Sequence, residues 1–97
     1  MGYSLQFKHE ENSTTVIDMS YGYNLYRNIF DPVVYNGKSS EEMVIILNKA
    51  LQHIEAKYPI RSSMRDLLKP TTGNLEILLR ALLEDAQTHP SWIFHVE

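Results

Sequence analysis

Polar and apolar residues alternate with two different periods along this chain, and each change of period marks an element. Tyr3, Leu5 and Phe7 alternate with Ser4, Gln6 and Lys8, the period of two expected of a strand with one buried face. The polar stretch His9–Ser13 reads as a hairpin connection, too plain to fix the turn type or register. A second strand over about Thr14–Met19 carries Thr15, Ile17 and Met19 on one face and Val16 and Asp18 on the other. Next, Leu25 with Ile29 and Tyr26 with Phe30 are i,i+4 pairs. They predict a short helix that Asn24 caps and Asp31-Pro32 stops. Val33–Gly37 follows as a loop or short extended piece, with Asn36-Gly37 as its turn signal.

The helical period takes over at Ser39. Ser39 and Glu42 form a capping-box pattern, and Met43, Leu47, Ala50, Leu51, Ile54 and Tyr58 then recur at helical spacing until Tyr58-Pro59. Ile45 and Ile46 widen this stripe, which predicts cover on more than one side. Ile60–Lys69 has room for a short helix through Met64, Leu67 and Leu68, and the loop Pro70–Gly73 leads onward. Leu75, Leu78, Leu79, Leu82 and Ala86 form the second long stripe, with Glu76–Arg80 and Arg80–Glu84 as ion pairs one turn apart. His89-Pro90 ends that helix, and Trp92–Val96 returns to the strand period.

The order strand, strand, short helix, long helix, connection, long helix, strand predicts one α+β domain over residues 1–97. Its architecture is a two-layer one: a small antiparallel or mixed three-stranded sheet, made of the N-terminal hairpin plus the C-terminal strand, covered on one face by two long amphipathic helices. The last strand needs the hairpin for stability, and a place beside the first strand would bring both chain ends into one sheet.

Composition narrows the function classes. A chain of 97 residues buries somewhat more than about 60 % of its unfolded surface, enough for one core. A net charge of −3 argues against a general nucleic-acid binder. With no cysteine there is no disulfide, thiolate or cysteine–zinc chemistry. The longest apolar run, Met43–Leu47, falls far short of the roughly 20 residues of a membrane span. No secretory leader is recognisable, so the cytoplasm is the expected location.

No catalytic constellation stands out. His9, His53, His89 and His95 are scattered and lack the spacing of a zinc hydrolase. The adjacent acids Glu10-Glu11, Glu41-Glu42 and Glu84-Asp85 are poor dyads, and Glu41-Glu42 is explained by a helix N-terminus. No nucleophile elbow or phosphate-cradling glycine loop occurs. The expectation is a non-enzymatic protein with no cofactor and no metal. The richest stretch for binding is Tyr21–Phe30, where Tyr21, Tyr23 and Tyr26 offer flat contact area and Asn24 and Arg27 offer oriented donors. The same stretch has a plainer reading as cover for one end of the sheet. A second candidate is the basic segment with Arg61 and Arg65, which suits an anionic partner or ligand.

The order of pieces also resembles small uncharacterised proteins encoded by phages and their bacterial hosts. The likeness rests on the turn Met19-Ser20-Tyr21-Gly22-Tyr23-Asn24-Leu25, the helix from Ser39 to Leu51, the Thr71-Thr72-Gly73-Asn74 turn and the helix–proline–strand ending. It departs from the pattern in having no tryptophan at the glycine turn. The resemblance implies a phage or mobile-element accessory protein, a class that works by binding host proteins or sequestering small signals, and it carries no catalytic residues. The expected function is therefore contact with a host protein, with a homodimer as one possible form. The alternative is sequestration of a nucleotide-like anion between tyrosine rings, with Arg27, Arg61 or Arg65 on its phosphate.

Overall fold

A computed structural model describes residues 2–20, 24–59 and 71–97. Its elements are β1 (Gly2–His9), β2 (Asn12–Ser13), β3 (Ile17–Ser20), α1 (Asn24–Ile29), a 3-10 turn (Pro32–Tyr35), α2 (Ser40–Lys57), α3 (Thr72–Thr88) and β4 (Ile93–Val96). The fold is α+β: an antiparallel sheet of the N-terminal hairpin and the C-terminal strand, packed against helices. β1 is central, with β2 and β3 on one side and β4 on the other.

The sheet has four strands where the sequence pattern predicts three, because the returning hairpin strand is broken. β1 pairs β2 as Lys8↔Ser13 and His9↔Asn12, but pairs β3 as Leu5↔Ile17 and Gly2↔Ser20. The register slips by one between the two, so Thr15 and Val16 together oppose Gln6, as in a β-bulge. Thr14 holds the break: its N–H donates to Phe7 O at 2.9 Å, and its Oγ1 accepts from Phe7 N–H at 2.9 Å. The side-chain oxygen replaces a ladder carbonyl. The slip leaves Ile17 and Met19 on the core face as the alternation predicts. The connection is a tight Glu10-Glu11 turn, with Glu10 at φ 55.

The core forms between this sheet and the helices. Leu5, Phe7, Met19 and Phe94 meet Met43, Leu47 and Ile54 of α2 and Leu75, Leu79 and Leu82 of α3, all essentially without solvent contact. The two leucine-rich stripes are thus on the inside as their spacing predicts. Ile45 is not covered: it stands 60 % exposed on α2.

The helix boundaries follow from caps. Ser39 Oγ accepts from Glu42 N–H at 3.3 Å; the Glu42 carboxylate lies 3.9 Å from Lys38 Nζ. Thr71 Oγ1 accepts from Asn74 N–H at 3.1 Å, so α3 starts at Thr72 and takes Thr72 and Gly73 out of the expected loop. Val33–Tyr35, expected as loop or extended chain, winds into the 3-10 turn behind Pro32, whose fixed φ suits a helix start.

The outer edge of β4 is closed by the segment Asn36–Ser40. Gly37 N–H donates to Phe94 O, Phe94 N–H to Lys38 O and Ser40 N–H to Trp92 O, each at 2.8 Å, and Val96 N–H donates to Asn36 Oδ1 at 3.0 Å. Ser4 exchanges both backbone bonds with Glu97 and so extends the β1–β4 ladder; at the other edge Tyr3 and Leu5 therefore bond to β3, and the backbone of Asp18 faces outward. That edge is short, bulged and carries a charge, three devices by which sheets discourage further strand pairing. Both edges are defended, so surfaces for contact are better sought on the helical side.

Candidate functional site

The sequence-predicted residues divide into three groups. Tyr21, Tyr23, Arg61 and Arg65, and the side chain of Asn24, lie outside the described residues; the backbone of Asn24 opens α1. Tyr26 is 1 % exposed and belongs to the core. Burial raises its phenol above the ordinary value, and a hydrogen bond with the Thr71 backbone pulls it back in part. Tyr26 therefore pins α1 to the start of α3, and its ring is not a contact surface. Arg27, its neighbour, is exposed. Of the described side chains in this stretch, Tyr26 and Phe30 cover the core, while Arg27 and Asn28 are exposed.

What the sequence did not point to is the cavity onto which the second half of this stretch opens, about 360 Å³ in volume. α1 and the residue after it supply Asn28, Ile29 and Phe30; the 3-10 turn supplies Tyr35; α2 supplies Ile46, Lys49, Ala50 and His53. Phe30 and Tyr35 stack with ring centroids 5.4 Å apart and planes 20° from parallel, which fixes an aromatic wall. Phe30 in turn meets Phe94 edge-on at 6.4 Å, so the wall rests on the core. Lys49 and His53 are one helical turn apart and stand on one side of α2. Among the described residues neither has a carboxylate within ion-pair distance, and no acid lines the cavity. Asp31 follows Phe30 but lies outside the lining, and its Oδ1 is buried with no hydrogen-bond partner.

Three exposed apolar side chains are close in sequence to the lining residues. Val33 and Val34 precede Tyr35 in the 3-10 turn and are 49 % and 66 % exposed. Ile45 adjoins Ile46 and lies one turn before Lys49. The signal that would have found the site is the absence of acids at i±3 and i±4 from Lys49 and His53, together with an isoleucine pair too wide for one buried stripe. A second cavity of about 320 Å³ lies between β3 and α3, where Val16, Ile17, Ile77, Leu78 and Ala81 make it mostly apolar.

Among the described residues no cluster of His, Asp or Glu is arranged to hold a metal ion, and no helix is long and apolar enough to cross a membrane. Comparison with protein families, curated proteins and solved structures gives no match.

Proposed function

We propose that this chain is a non-enzymatic binding protein of the phage or mobile-element accessory type, acting in the cytoplasm by contact with a host protein. The observation that carries the reading is that Val33 and Val34, which precede the lining residue Tyr35, and Ile45, one turn before the lining residue Lys49, stand exposed. Large aliphatic side chains gain nothing from water, and a group of them around a concave site is typical of a surface that a partner covers. Arg27, exposed and next in the chain to the lining residue Asn28, is of a kind that interfaces favour.

The test is affinity capture of the tagged protein from host cells, with Val34→Asp and Ile45→Asp compared with Val16→Asp and Ile77→Asp at the second cavity. All four positions are exposed, so folding is retained. The first two variants should weaken a captured partner by roughly 30-fold or more each, the scale of an interface hot spot. The second two should capture it as the wild type does. Equal capture by all four variants would remove the assignment of the surface.

A further inference from the structure

We infer that the cavity between α1, the 3-10 turn and α2 is a binding site for a small aromatic anion, a single ring bearing a phosphate or carboxylate. This goes beyond the protein-contact reading and stands on different residues. The volume of about 360 Å³ lies at the small end of ligand sites, which run from about 300 to 1,000 Å³. It has room for one ring and one anionic group.

The lining divides into two halves of complementary chemistry. One half is Tyr35, whose partly exposed ring is held in place by stacking on the buried Phe30. The other is rich in N–H donors: Lys49 and His53 project from successive turns of α2, about 6 Å apart along the axis. The Lys49 ammonium brings three donors, and an imidazole ring presents an N–H in either protonation state. Asn28 adds an amide from the facing helix.

Three features favour an anion over a neutral guest. In a chain of net charge −3, no acid lines this cavity among the described residues. The row Lys49, His53, Lys57 repeats basic residues at i, i+4 and i+8 without an intervening acid at that spacing, so no carboxylate of α2 at that spacing competes with a bound anion for these side chains. Finally, Lys57 lies near its own neighbour, with Nζ 5.8 Å from the Tyr58 ring centre, which leaves Lys49 and His53 as the pair that faces the cavity.

Isothermal titration with phenyl phosphate tests the site, with inorganic phosphate and benzyl alcohol as its separate halves. Phenyl phosphate should bind saturably at one site and more tightly than either half. Lys49→Gln and His53→Gln should each weaken it about tenfold, the loss expected of one hydrogen bond to a charged group. Lys57→Gln should leave it unchanged. Tyr35→Leu should lower phenyl phosphate to the affinity of inorganic phosphate. No saturable binding, or wild-type affinity in both Lys49→Gln and His53→Gln, overturns the site. Equal affinity for phenyl phosphate and inorganic phosphate in the wild type overturns its aromatic half.

Discussion

At the scale of single residues, Glu10 acts against its intrinsic preference and Glu41 holds a stabilised charge, and each makes a measurable statement. Glu10 sits at φ 55 in the two-residue β1–β2 turn, a conformation in which a Cβ is crowded. Glycine relieves that crowding but adds freedom to the unfolded chain. The net expectation for Glu10→Gly is a gain of about 0.5–1 kcal/mol, read from a denaturation midpoint at unchanged slope. A lower midpoint would mean that the turn is held by something other than its backbone geometry. Glu41 offers a pH-linked case. Hydrogen bonding to the backbone at its own position in the first turn of α2, then the Ser91 hydroxyl at 3.0 Å, holds its carboxyl below the ordinary range. A depressed carboxyl contributes stability above its unfolded value, and that contribution fades as pH falls through the folded one. In Ser91→Ala the Glu41 resonance should titrate closer to the ordinary carboxylate range; an unmoved titration would leave the helix terminus as the sole cause.

At the scale of elements, the sequence was legible wherever one period and one cap agreed. The α2 and α3 stripes, the N-cap Ser39 and the inward face of β1 are where the spacing of Met43, Leu47, Leu75, Leu79, Leu5 and Phe7 places them, whereas the Thr71 cap that starts α3 lies in what reads as loop. The break between β2 and β3 was not legible, because it depends on the Thr14 hydroxyl taking the place of a carbonyl opposite Phe7, a contact with no local signature. The cavity was hidden for the same reason: Asn28, Tyr35, Lys49 and His53 come from three elements, and only their convergence makes a site. The segment Asn36–Ser40 was half visible, as an Asn-Gly turn whose task against β4 appears only in the fold. Gly37 holds φ 93 there, and a Cβ at that position would meet no atom within 4 Å. Gly37→Ala should therefore cost about 1–2 kcal/mol from backbone conformation alone. Asn36→Ala should cost about 1 kcal/mol, by orphaning the Val96 N–H. Chemical denaturation of the two single variants checks both values; a neutral Gly37→Ala would show that the segment relaxes freely and does not brace the edge. Tyr26 belongs to this scale too. Tyr26→Phe keeps the ring and loses the bond to Thr71, so it should cost about 0.5–1.5 kcal/mol and leave partner capture intact.

At the scale of the whole molecule, the chain is closed by its most distant parts. β4, near residue 97, pairs with β1 through Leu5↔Val96 and Lys8↔Ile93, while its other edge takes the segment before α2. No stretch of the chain folds without the others in such a layout, since β1 is central and isolated hairpins are marginal. Phe94 is the residue on which this closure turns. It is fully buried, with its ring centre 5.4 Å from that of Phe7 and 6.4 Å from that of Phe30, so it joins the sheet to the aromatic wall of the cavity. Removing its ring leaves a void beside Phe7 and Phe30 in the core. Phe94→Ala should cost about 3–5 kcal/mol. Against a total of about 5–15 kcal/mol for a domain this size, that is enough to leave a sizeable unfolded fraction at moderate temperature. The loss should appear as one cooperative shift, with amides of β1, α2 and β4 losing protection together in hydrogen exchange. If β4 alone exchanged faster while β1 and the helices kept their protection, the C-terminal strand would be an appendage to a core completed by the hairpin and helices, and the cavity wall would have to stand without it.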